Sequence, residues 1–180
     1  MPFTEEEVTS ILEKCEVYKG PNKKKLVVLT KFMLATGLRI SDAVMISKSN
    51  ITEKGKEGWM VELRTMKTGT PVSCPLQPAL VKSIMALDSE NPFWSDKSDL
   101  EDATKNWRKI FTKIFENAGI EGHPHQFRHT FAKRLLVAGV PIGYVASLLG
   151  NTEQICRKHY GKWISERQAA VNKAVKSTWT

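Results

Sequence analysis

Residues 123–132 read His123-Pro124-His125-Gln126-Phe127-Arg128-His129-Thr130-Phe131-Ala132. Pro124 suits the start of a helix, because a first-turn proline gives up no helical hydrogen bond. On that helix His125, Arg128 and His129 stand at i, i+3 and i+4 and so share one face. Two imidazoles and a guanidinium near a helix N-terminus suit an anion. A plainer alternative is one histidine capping the helix and the others buried as satisfied polar groups. A metal site from His123, His125 and His129 is disfavoured. Arg128 would repel a cation, and no carboxylate stands close in sequence.

Outward from this stretch the chain reads as mostly helical. Thr4 and Glu7 form a capping box for a helix over 4–18, with Val8, Ile11, Leu12 and Cys15 as its apolar stripe. A second helix is expected over 24–35, with Leu26, Leu29, Phe32 and Met33 facing inward. Gly37 would end it in the left-handed turn that glycine accepts. A short helix over 39–46 follows. Between 50 and 76 the period falls to two: Trp59, Val61 and Leu63 alternate with Met60, Glu62 and Arg64, and Val72 and Cys74 alternate again. This predicts a small antiparallel sheet with a hairpin turn near Lys67–Thr70. Helical patterns resume at about 78–87, 100–118, 125–138, 141–149 and 164–176. Gly119, Gly139 and Gly150 punctuate them, and Pro78 and Pro141 stand at first-turn positions. The last stripe, Ile164, Gln168, Val171 and Val175, reads most simply as packing on its own domain.

Three further segments could carry chemistry. Arg39 follows the turn at Gly37, and Asp42, three residues on, lies on its helical face as a natural ion-pair partner. Lys67 sits at the hairpin tip, where a lysine is usually only solvated but can deliver an ammonium to a leaving group. Tyr160 lies among cations in Arg157-Lys158-His159-Tyr160-Gly161-Lys162. A phenol of pKa about 10 is a poor nucleophile unless cations or a base help remove its proton.

Charge is spread unevenly. The chain has 180 residues and a net charge of +8, and 41% of it is apolar, too much for a disordered basic tail. Residues 1–120 hold 18 basic and 16 acidic side chains, whereas residues 121–180 hold 9 basic and 3 acidic. Such an excess draws polyanions from a distance. No apolar run is long enough to span a membrane, and the glutamate-rich first twenty residues do not suit a signal peptide. Cys15, Cys74 and Cys156 are far apart, which excludes a disulfide framework and a cysteine zinc site and fits a reducing cytosol.

Taken together, the order and spacing are specific: Thr36-Gly37-Leu38-Arg39 with Asp42, Lys67 on a hairpin, His125 to His129, Leu148-Leu149-Gly150, then Tyr160. The chain closely resembles the catalytic domain of the tyrosine recombinases, the phage integrase family, from Phe3-Thr4-Glu5-Glu6-Glu7 to the C-terminal helix. The resemblance implies a mainly α fold with a small antiparallel three-stranded sheet (α+β), built to grip duplex DNA. It implies site-specific recombination or integration through a 3′-phosphotyrosine. Tyr160 would be the nucleophile, and Arg39 and Arg128 would hold the non-bridging phosphate oxygens. Lys67 would protonate the 5′-oxygen. His125 would bond the phosphate or take the phenol proton, Asp42 would support Arg39, and His129 would be structural. No metal, nucleotide or other cofactor is implied. Double-stranded DNA is the implied partner, with tetramer assembly on it and the C-terminal segment docking on a neighbouring protomer.

Asn151 departs from the family pattern, which has histidine or tryptophan after the Leu-Leu-Gly. An amide can donate a hydrogen bond to phosphate but cannot carry charge. Residues 1–180 are expected to form a single catalytic domain without the N-terminal core-binding domain of most relatives, and an excised domain is favoured over a short invertase. Two rival functions remain: a non-catalytic helix-turn-helix module over 141–158, and a type IB topoisomerase-like nicking-closing enzyme.

Overall fold

A computed structural model of the protein describes residues 1–94 and 99–179. Its core is aromatic at one end. Phe3, Phe111, Phe115 and Phe127 meet with ring centroids 5.2–6.0 Å apart. The Phe3 backbone N–H donates to Thr130 Oγ1 at 2.9 Å, which pins the N-terminal segment to the histidine-bearing helix.

The elements follow the sequence periods closely. Helix α1 spans Glu5–Glu16, with the Thr4–Glu7 capping box formed in both directions and Val8, Ile11 and Cys15 buried. Helix α2 spans Lys23–Thr36 and ends on Gly37 at φ 63°. A side chain there would strike Phe131 and Leu149, so glycine is needed for space as well as for backbone. Helix α3 spans Ile40–Met45. Three antiparallel strands follow, β1 (Ile51–Glu53), β2 (Trp59–Arg64) and β3 (Pro71–Leu76), in the order β1-β2-β3. Val61 pairs with Cys74 and Leu63 with Val72, so the apolar face of the sheet is in register against the helices.

Helices α4 (Pro78–Met85), α5 (Leu100–Ala118), α6 (His125–Val137), α7 (Ile142–Leu149) and α8 (Glu153–Lys176) complete the chain. Helix α6 is central, packing against α2, α7 and α8, while α5 lies against α1 and α3. Pro141 caps α7 from outside rather than standing in its first turn.

The last helix departs from the sequence expectation twice. It begins at Glu153, capped by the Thr152 hydroxyl on the Ile155 N–H, so Tyr160 lies inside it. Its stripe does not pack internally. Ile164 is half-buried, but every residue from Ser165 to Trp179 is exposed, with Val171 at 43% and Val175 at 48%. Only Cys156, Tyr160 and Trp163 are buried along α8. No helix among the described residues is long and apolar enough to cross a membrane.

Candidate active site

Arg128 is the largest fully buried side chain, 1% exposed, in the first turn of α6. A buried guanidinium must fill its donors. Its Nη1 donates to the Gly37 carbonyl at 3.0 Å and its Nη2 to the Leu149 carbonyl at 2.7 Å. Burial pulls its pKa down to about 10, helped by the neighbouring Arg39 charge, so it stays cationic at neutral pH.

Arg39 enters from the N-terminus of α3. Its Nη2 donates to Asn151 Oδ1 at 3.2 Å, and its Nη1 lies 3.9 Å from Asp42 Oδ2. That separation leaves both Nη1 and Oδ2 buried without a hydrogen bond. Asp42 is fully buried, and its Oδ1 accepts from the Met66 N–H at 2.8 Å. It therefore ties Arg39 to the hairpin that carries Lys67.

That hairpin is stiffened by a relay of threonine hydroxyls, Thr65 to Thr68 to Thr70, each 2.8 Å apart. Lys67 makes no ion pair among the described residues and stands on the turn beside Met66. Gly150 at φ 60° lets the α7–α8 turn approach: a Cβ there would lie 3.0 Å from both Thr65 Cγ2 and Val72 Cγ2. The turn bearing Asn151 and the hairpin bearing Lys67 thus close on each other.

Tyr160 is 3% exposed. Its hydroxyl lies 3.1 Å from His129 Nδ1, and its ring stacks on Trp163, centroids 5.4 Å apart and planes at 20°. Burial raises the phenol pKa above its ordinary value, against the opposing pull of Arg128. His125 is exposed and meets His129 edge to face at 4.8 Å. Desolvation pushes both imidazoles down to about 4, reinforced by Arg128, Arg39 and His123 around His125 and by His125, the Met1 amino group, His123 and Arg128 around His129. Both are neutral at pH 7. No group of three His, Cys, Asp or Glu among the described residues could hold a metal ion.

The fold thus gathers Arg39, Asp42, His125, Arg128, His129, Asn151 and Tyr160, with Lys67 on the adjoining turn. Neither Trp163 nor Arg108 stands out in the residue pattern. Arg108 on α5 lines one cleft with Arg39, Ser41, Thr112, His123 and His125. Its signal would have been an unpaired arginine on the face of α5 that packs toward α3. Chemically the site offers two fixed guanidiniums for an anion's oxygens, a shielded phenol as nucleophile and neutral imidazoles as proton acceptors.

The sequence model of the phage integrase family matches residues 2–162. The tyrosine recombinase XerA of Pyrococcus furiosus is 29% identical over 94% of this chain and 61% of its own length. The chain therefore spans about three-fifths of that curated relative. Among solved structures, the catalytic domain of bacteriophage HP1 integrase superposes with a TM-score of 0.70 at 20% identity, over 95% of this chain and 93% of that one. A lambda integrase tetramer bound to a Holliday junction superposes at 0.64 with 16% identity, over 84% and 47%. At these identities the structural likeness shows the fold.

Proposed function

This chain belongs to the phage integrase family, and from that premise we propose that it carries the strand-cleaving and rejoining site of a site-specific DNA recombinase. The observation that carries the proposal is a buried phenol, Tyr160, within electrostatic reach of two guanidiniums, Arg128 and Arg39. A phosphodiester seated against Arg39 and Arg128 would have its non-bridging oxygens faced by fixed positive charge, where charge builds during attack. The Tyr160 oxygen forms a bond to phosphorus as the bond to the 5′-oxygen breaks. The phenol proton passes to the histidine pair, and the 5′-oxygen takes a proton from Lys67. Asn151 holds Arg39 and offers its amide N–H to phosphate. The 3′-phosphotyrosine conserves the bond energy for rejoining, so the steps call on no cofactor.

The relatives and structures matched are recombinases and integrases, which favours strand exchange over a helix-turn-helix binding module and over a topoisomerase-like enzyme. The cleft lined by Arg108 extends the cationic path to a neighbouring phosphate. In the proposal, residues 1–180 act as one catalytic domain with weak, poorly selective DNA binding by themselves, and the bare end of α8 serves assembly on DNA. Deleting residues 166–180 should leave the melting temperature unchanged and abolish that assembly. A fall in melting temperature would mean the tail supports its own domain instead.

A nicked suicide duplex tests the chemistry. Wild-type protein should form a covalent adduct and Tyr160→Phe should not; an adduct with the phenylalanine variant would overturn the assignment. A 5′-bridging phosphorothiolate should rescue Lys67→Ala, since a thiolate leaves without a proton. Absence of rescue would remove Lys67 from that role.

A further inference from the structure

A nucleophilic phenol has to be aimed, and its proton needs an acceptor. The guanidiniums that reach Tyr160 electrostatically, Arg128 and Arg39, carry donors only. The ring nitrogen within hydrogen-bond distance of the phenol is His129 Nδ1, at 3.1 Å, which accepts when the ring carries its proton on Nε2. The two rings meet at 67°, centroids 5.6 Å apart, while Trp163 covers another face of the tyrosine from one turn further along α8. His125 touches His129, not the phenol, and stands on the exposed side of the pair.

We propose that His129, rather than His125, is the residue that aims the nucleophile: its neutral Nδ1 accepts the Tyr160 O–H and turns the oxygen's lone pairs toward Arg39 and Arg128. This rests on Tyr160 being the nucleophile. It requires His129 to carry its proton on Nε2. The ring's surroundings keep it in that uncharged form at neutral pH, since desolvation and the charges of His125, His123, Arg128 and the Met1 amino group hold its pKa at about 4. With burial holding the phenol above its ordinary value, full proton transfer to the imidazole before attack would be strongly uphill. The imidazole therefore holds and directs the O–H in the resting site and takes its proton only as the bond to phosphorus forms. Two histidines in one motif then divide the work: the exposed one meets the substrate side, and the inner one meets the tyrosine.

Two measurements test this. Nitrogen-15 spectra of the DNA-free protein should show His129 as the Nε2–H tautomer, with an Nδ1 resonance that moves in Tyr160→Phe. An Nδ1–H tautomer, or an Nδ1 resonance unchanged in that variant, overturns the proposal. In single-turnover cleavage of the suicide duplex, His129→Asn, whose Oδ1 can replace Nδ1 as acceptor, should stay within about tenfold of wild type, and His129→Leu should fall at least about a hundredfold. Wild-type rates in His129→Leu, or an asparagine variant as slow as leucine, would also overturn it. If wild-type protein forms no adduct at all, the recombinase function fails. The spectroscopic result still decides whether His129 holds the phenol.

Discussion

Asp42→Ala should both loosen the fold and disorder the site. Two losses set its size. The Met66 N–H, part-buried, loses a 2.8 Å bond to a charged acceptor, and bonds of that kind contribute about 1.5–3 kcal/mol. Arg39, 20% exposed at its side chain, loses the carboxylate 3.9 Å away. A fully buried guanidinium stripped of its partner would cost about 3–5 kcal/mol. Solvent access, the poor geometry of the pair and the surviving Asn151 bond reduce that to roughly 1 kcal/mol. Together they give about 3 kcal/mol, or roughly 6–12 °C in melting temperature for a chain of this size. Asp42→Asn keeps an oxygen for Met66 and sacrifices only the charge, so it should cost about 1 kcal/mol. Thermal unfolding followed by circular dichroism, with denaturant midpoints as a check, measures both. A cost below about 1 kcal/mol for the alanine variant would refute the calculation. Equal costs for the two variants would refute the claim that the carboxylate moors the hairpin.

Other consequences follow from the same contacts. Arg128→Lys leaves at least one of two buried carbonyls without its donor. It should destabilise by about 2–4 kcal/mol and slow covalent cleavage by about 10²–10³; unfolding curves and single-turnover rates matching wild type would contradict both. Gly150→Ala forces a Cβ to 3.0 Å from Thr65 and Val72 at positive φ, and should destabilise by about 1–3 kcal/mol, read from a lowered denaturant midpoint. His125 and His129 have folded pKa values of about 4 against an ordinary 6.5, so the unfolded chain binds protons first as the pH falls. Stability should be full above about 6.5 and drain away toward pH 4. The loss is about 1 kcal/mol per histidine once solvent access is allowed for. Replacing both with asparagine should flatten melting temperature across that window, and an unchanged slope would refute the assignment.

Much of the fold was legible because it is encoded locally. Thr4 and Glu7 announce a cap, Gly37 a helix end, and the alternation through Trp59–Leu63 a strand, each within a few residues of the structure it forms. The start of α8 was not legible. Gly161 interrupts the helical pattern at a cost of about 1 kcal/mol, and burial of Cys156, Tyr160 and Trp163 offsets it. Nor could the stripe from Ile164 to Val175 reveal that no other element covers it, since period gives a face and not its neighbour. At the site, spacing placed His125, Arg128 and His129 on one side of a helix. It could not show that His129 reaches a phenol 31 residues away, or that Arg128 bonds to main-chain carbonyls, which leave no trace in side-chain pattern.

Those carbonyls have a consequence of their own. Gly37 caps the end of α2, and Leu149 is the last residue of α7. The C-terminal end of a helix carries roughly half an electron's worth of negative charge. Arg128 is therefore solvated by two aligned peptide stacks instead of by a carboxylate. A carboxylate partner would steady the guanidinium and cancel it. Dipole ends steady it without adding a net charge to the site, so the guanidinium keeps its formal unit charge, attenuated but not paired off. Because main chain supplies the solvation, no single side-chain substitution at either helix end removes it.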